Sequence, residues 1–123
     1  MSVLIDTSVW IAHFRRTNHE LVEVITSDKG LVHPMVLGEL ACGTPPEPRT
    51  RTLEDISQLR PASQASWPEI MEFIERDQLY DQGCGLIDVA LLASTLLTQD
   101  AKLWTFDKRL GELAKRYGVA FAA

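Results

Sequence analysis

Apolar positions recur along this chain with two alternating patterns, short unbroken runs and longer stretches at helical spacing. Residues 3–5, Val-Leu-Ile, are a run of the first kind, suited to a buried parallel strand. Asp6, Thr7 and Ser8 then offer helix-capping side chains ahead of VWIAHFRR. Asn18 stands where it can cap a second helix, whose Leu21, Val24 and Ile25 fall on one face. Gly30 opens a brief extended segment over 31–33; Pro34 suits the first turn of a third helix and Gly43 its end. TPPEP, at 44–48, reads as a turn and is too short for a domain linker. A weak helix is predicted around Leu53, Ile56 and Leu59. Ser66 and Glu69 in S-W-P-E form a capping box that opens a helix carrying Ile70, Phe73 and Ile74. Gly83 and Gly85 interrupt the chain before GLIDVALLAS at 85–94, an apolar helix. A strand is predicted over 102–106, and Asp107 heads a last helix with Leu110, Leu113, Ala114 and Tyr117 on one face. Gly118 ends that helix, leaving 119–121 for a final strand.

Alternating strands and helices place the chain in the α/β class with a mainly parallel sheet. Its 123 residues suit one domain, 1–123, with one core. In such sheets ligands bind beyond the carboxyl ends of the strands. Asp6 directly follows the first predicted strand and Asp107 the strand over 102–106. Two acids therefore fall where that rule puts a site.

Composition adds boundaries. No run approaches the roughly 18 apolar residues of a membrane helix, so no membrane association is expected. MSVLIDTSVW lacks a basic segment, and a secretory leader is not expected. Cys42 and Cys84 fit neither a disulfide framework nor zinc spacing, which points to the cytoplasm. The formal charge of −5 argues against nucleic-acid binding by broad phosphate neutralisation. Nucleic acid remains open as a ligand only through a local basic rim and metal ions.

The acids carry the chemistry. A helix cap accounts for Asp6 or Asp107 taken singly. Glu39 lies mid-helix in PMVLGELACG among apolar and small neighbours, with no cation three or four positions away. Asp88 interrupts GLIDVALLAS with no Lys or Arg within ten residues. A helix dipole returns about 0.3–1 kcal/mol to a first-turn acid, too little to offset desolvation among apolar side chains. If the four converge, like charges at short range need a cation among them. The donors are oxygen only, since His13, His19 and His33 are scattered and read as structural or surface residues. Carboxylates and water favour Mg²⁺ or Mn²⁺ over Zn²⁺, and such ions serve phosphodiester chemistry.

VLIDTSVWI, GEL, GLIDVALLAS and LWTFDKRL, in that order over the whole chain, resemble a PIN domain. More narrowly they are similar to the VapC-type toxins of toxin–antitoxin modules. The resemblance implies a three-layer α/β/α fold and a Mg²⁺- or Mn²⁺-dependent endoribonuclease. Such an enzyme cleaves structured RNA of the tRNA or rRNA class by metal-activated water, leaving 5′-phosphate and 3′-hydroxyl ends. Residue by residue, Asp6, Glu39, Asp88 and Asp107 match the acidic quartet of catalysis and metal binding. Asp6, Asp88 and Asp107 are expected as direct ligands, Glu39 partly through water. Ser8 and Thr105 match the supporting hydroxyls. Asp107 is preferred to Asp100 because it follows the strand and so reaches the crevice. The resemblance further implies a VapB-type antitoxin partner and a homodimer. Arg15, Arg16, Lys108 and Arg109 could grip the RNA backbone, or simply cover solvated helix surfaces. Trp10, Trp67, Phe73 and Ile74 are apolar candidates for partner contacts, though such spacing more often marks core.

Other functions compete. A PIN nuclease of RNA processing would carry the same acids without an antitoxin. A phosphoacceptor domain wants clustered acids at the first strand, which here supplies Asp6 alone; a D-x-D phosphatase wants an acid where Ser8 stands. A non-catalytic binding module would show no metal dependence.

Overall fold

A computed structural model describes residues 1–122. The chain runs β1 (Ser2–Ile5), α1 (Thr7–Arg15), α2 (His19–Thr26), β2 (Gly30–Val32), α3 (Pro34–Cys42), α4 (Arg49–Ser57), β3 (Arg60–Pro61), α5 (Trp67–Asp77), α6 (Leu86–Leu97), β4 (Ala101–Trp104) and α7 (Lys108–Arg116). The four strands form one sheet in the order β3-β2-β1-β4, with every pairing parallel. Leu4 pairs with Leu31 on one side and Leu103 on the other, and Ile5 with Trp104. Helices pack around this sheet, giving the three-layer α/β/α arrangement that the alternation implies.

Connectivity decides where a site can form. The chain steps outward from β1 to β2 to β3, then returns to lay β4 on the free side of β1. Connections on the two sides of β1 thus lead away from each other, and a crevice opens beyond the carboxyl ends of β1 and β4. Asp6 and Thr105 are the first residues past those ends, and the Asp6 amide donates to the Trp104 carbonyl at 2.9 Å.

The strands supply the centre of the main core: Val3, Leu4, Ile5, Leu31 and Leu103 are all buried. Val9, Leu21, Val36, Leu91 and Leu110 bring five helices onto them. A second cluster, with Ile70, Phe73, Leu92 and Leu113, joins α5, α6 and α7. α6 serves both clusters, and every residue from Val89 to Thr95 is buried. That explains the apolar run at its centre, since a segment hydrophobic all round is a segment enclosed all round, while Leu86, Leu96 and Leu97 at its ends are exposed. The Tyr117 hydroxyl just after α7 donates to the Asp77 carboxylate at the end of α5, a second tie across the same layer.

Local signals act as their chemistry requires. Asn18 and Ser66 accept from Leu21 and Glu69 amides, and the Ser66–Glu69 capping box is complete. Several elements differ from the sequence expectation. The second strand ends at Val32, because the His33 ring caps α3 by accepting from the Met35 amide at 3.0 Å. Burial lowers the His33 pKa, in keeping with a neutral acceptor. β3 has no apolar run; it is a two-residue edge strand containing Pro61, tolerable only at an edge. β4 stops at Trp104 because the chain must turn toward α7. The strand expected over 119–121 is a single bridge, Ala120 beside Leu103. Trp10 and Phe73 are core, and Ile74 packs partly against it, whereas Trp67 is 58% exposed.

Leu91 is fully buried in the core cluster that carries the sheet. Leu91→Ala should cost about 2–5 kcal/mol through reduced burial and a residual cavity. Urea unfolding measures this; a loss below about 1 kcal/mol would show that α6 is not the enclosed element described.

Candidate active site

Asp6 occupies the N-cap position of α1 but makes no side-chain cap bond. Its Oδ2 instead accepts two hydroxyl hydrogens, from Ser8 and from Thr105, each at 2.7 Å. Those hydroxyls are themselves held. Ser8 Oγ accepts from the Phe106 amide and Thr105 Oγ1 from the Asp107 amide, both at 3.0 Å. Each hydroxyl has a single hydrogen, and geometry directs both onto Asp6. The chain leaving β4 is therefore bound to the chain leaving β1 through one carboxylate oxygen.

Asp107 is a true N-cap, as its position before an amphipathic helix foretold: Oδ1 accepts from the Leu110 amide at 2.9 Å. Asp88 is the third residue of α6 and accepts through Oδ2 from the Gly85 amide at 3.2 Å. It is half-buried at the helix mouth, with the fully enclosed stretch starting only at Val89. Glu39, on α3, is exposed, so the apolar face read from its neighbours does not enclose it. Its Oε1 accepts from the Thr7 hydroxyl at 2.7 Å. Thr7 is a buried residue whose role the sequence did not reveal, because its partner is 32 positions away.

A common pattern emerges. Each of the four carboxylates spends one oxygen on a protein donor, and the other accepts no side-chain or backbone hydrogen bond among the described residues. None of the four forms a salt bridge among those residues. Asp88 is pushed above the ordinary carboxyl value by burial first, with Asp107, Asp6 and Glu39 each adding to the rise and the Gly85 amide opposing it. One carboxyl thus feels the other three. Asp100 stands apart: it precedes β4, at the strand's opposite end, and pairs with the Met1 amino group at 3.0 Å.

Among the described residues, no group of three or more His, Cys, Asp or Glu is gathered tightly enough to enclose a metal ion. The acids share an electrostatic neighbourhood without forming a closed cluster. The donor set suits a hard divalent ion: oxygen only, and preorganised by hydroxyls and amides.

Cations stand near the acids. Arg109 lies across Gly83, where a Cβ would come within 1.9 Å of its guanidinium. Gly83 has φ of +80°, a left-handed conformation that favours glycine, and a Cβ there would also oblige the Arg109 side chain to move. The Cys84 thiol, raised chiefly by burial, feels Asp88 and Asp107 as well as Arg109 and Arg116. Arg109, at the start of α7, therefore rests on the loop that leads into α6 and Asp88. Lys108 and Arg109 occupy the first turn of α7, the end where a helix dipole disfavours cations. Arg15 and Glu39 line one cavity of about 430 Å³ with Ile11, Phe14, Leu40 and Pro45. Arg16 is exposed at the C-cap of α1. A smaller cleft of about 240 Å³ lies between α5 and α6, remote from the acids.

The raised Asp88 pKa has a stability consequence. In the metal-free protein its ionised form is penalised by folding, so stability present below the unfolded value of 3.8 is lost as pH rises through the higher folded value. Asp88→Asn should therefore be more stable than the parent at pH 7 in chelator, with the gap closing toward about pH 4. Denaturation midpoints across that window measure it; a gap that widens on acidification would reverse the sign.

Comparison with known proteins identifies the family. Residues 3–116 match the PIN domain family. Ribonuclease VapC32 of Mycobacterium tuberculosis, in strains CDC 1551 / Oshkosh and ATCC 25618 / H37Rv alike, is 38% identical over 120 residues, spanning 98% of this chain and 96% of the relative. A matching family over almost the whole domain, and a near full-length relative, place the chain in the PIN-domain family, among its VapC-type members.

Proposed function

We propose that this chain is a metal-dependent endoribonuclease, the toxin of a VapBC-type toxin–antitoxin module. One observation carries the reading: four carboxylates at a sheet's switch point, each with one oxygen bonded to protein and one left over. Capping accounts for Asp88 and Asp107 taken singly; what favours a shared cation is that Asp107, Asp6 and Glu39 all act on Asp88 while none of the four forms a salt bridge among the described residues. Its near full-length relative is named a ribonuclease.

In this reading Asp6, Asp88 and Asp107 hold Mg²⁺ or Mn²⁺ directly, and Glu39 contributes partly through water. The bound ion supplies Lewis acidity toward the phosphodiester and a more acidic water. Ser8 and Thr105 fix the Asp6 carboxylate by occupying Oδ2, which leaves Oδ1 for the ion. Thr7 does the same for Glu39, and the Gly85 amide for Asp88. Arg109, Lys108 and Arg15 hold the RNA backbone around the crevice, with Arg16 further along the same helix as Arg15. Cations placed against the α7 dipole support that role, because helix stability alone would not put them there. An acidic protein can thus bind RNA locally while its bulk charge repels it. The substrate is structured RNA of the tRNA or rRNA class. A VapB-type antitoxin covers the site, the toxin forms a homodimer, and both act in the cytoplasm. No helix among the described residues is long and apolar enough to cross a membrane.

Asp6→Ala should lower RNA cleavage by about 10²-fold or more and relieve growth inhibition, with the fold retained by circular dichroism. Cleavage by the parent should stop with EDTA and return with Mg²⁺ or Mn²⁺. Undiminished cleavage by a folded Asp6→Ala protein in EDTA would remove the metal site from the mechanism. Replacing both Lys108 and Arg109 by Gln should reduce the salt slope of RNA binding by about 0.7 for each phosphate that is no longer neutralised. An unchanged slope would place the RNA elsewhere.

A further inference from the structure

Three aromatic side chains stand out into solvent among the described residues: Trp67, Tyr80 and Phe106. Only Phe106 lies inside the network just described, between Thr105 and Asp107. The residue is 53% exposed, although it follows a strand whose side chains are largely buried. The backbone there is not loose. Its amide donates to Ser8 Oγ at 3.0 Å, the same hydroxyl that binds Asp6. Trp104, almost fully buried, props the ring edge-to-face at 6.1 Å and 83°. An apolar ring thus stands in water on a hydrogen-bonded backbone, next to Asp107 in sequence and two residues before the first of two exposed cations, Lys108 and Arg109.

Nothing in the fold accounts for this. A polar residue would satisfy the same backbone bond, and the core beneath is already closed by Trp104. An exposed aromatic face beside exposed cations is a combination that single-stranded nucleic acid recognises: stacking for the base, charge for the backbone. We propose that Phe106 is a substrate-positioning residue that stacks on a nucleobase of the RNA next to the phosphodiester presented to the acids. The proposal rests on the nuclease reading above and deepens it. Because every base offers a π face, the contact is tolerant of sequence. It orients the strand and leaves the choice of RNA to other contacts. It also draws an unpaired nucleotide to the crevice, which directs the site toward loops and bulges within structured RNA.

The test uses single-stranded oligoribonucleotides carrying one 2-aminopurine, whose fluorescence falls on stacking, with Mg²⁺ present. An Asp6→Asn background keeps the RNA intact. Phe106→Leu should abolish the quenching and weaken binding roughly 5- to 150-fold, with an unchanged urea midpoint. Phe106→Trp should restore both. In the Asp6 parent, Phe106→Leu should raise KM more than it lowers kcat. Quenching and affinity equal to the parent in Phe106→Leu would overturn the platform while leaving the nuclease standing. The same result with altered sedimentation would assign the ring to a protein contact instead. If wild-type protein neither binds nor cuts RNA in Mg²⁺, the nuclease reading fails and the platform falls with it.

Discussion

Two hydroxyls meeting on one carboxylate oxygen hold this site together. Ser8 comes from the segment after β1 and Thr105 from the segment after β4, and both donate to Asp6 Oδ2. Parallel pairing brings the two strand ends level, with Ile5 beside Trp104, but pairing alone would leave the chains free to diverge past the sheet. The Asp6 carboxylate prevents it. Because each hydroxyl also accepts an amide from 106 or 107, the path toward α7 is set in the same stroke, and with it the place of Asp107. Hydrogen bonds to a charged group contribute more than neutral ones, and this one is 6% exposed, where water competes little. Thr7, next in sequence, extends the arrangement to α3 through Glu39. Three consecutive residues thus place three of the four acids.

The fourth is placed differently. Asp88 depends on α6, whose enclosure by both core clusters sets how far the helix mouth reaches. A loop with left-handed backbone at Gln78, Asp81 and Gly83 leads into it, and Arg109 rests on that loop from α7. Hydrophobic enclosure delivers this acid, and hydrogen bonding delivers the others. The two routes converge on a region where one carboxyl feels three more.

Much of this was legible in the sequence. Long apolar faces and caps announced α2, α5, α6 and α7, since burial and capping are local in sequence. The strand-then-acid pattern at Asp6 and Asp107 pointed to the crevice because parallel sheets have only one end that gathers loops. Less was legible where a partner is distant. β3 draws its identity wholly from pairing with β2, and Thr7 from a glutamate on another helix. Glu39 looked enclosed by its neighbours at helical spacing and is exposed, because spacing gives a face but not what covers it. Phe106 read as the end of a strand; only the turn toward α7 brings its ring into solvent.

The two flanks of the sheet have a further effect on how this molecule can meet copies of itself. On one flank β3 is two residues long and carries a proline, which cannot donate to a neighbouring strand. On the other, the Leu103 amide and carbonyl are already taken by Val119 and Phe121. Among the described residues neither margin offers a long free ladder, which works against self-pairing by sheet extension and favours contacts through helices and loops.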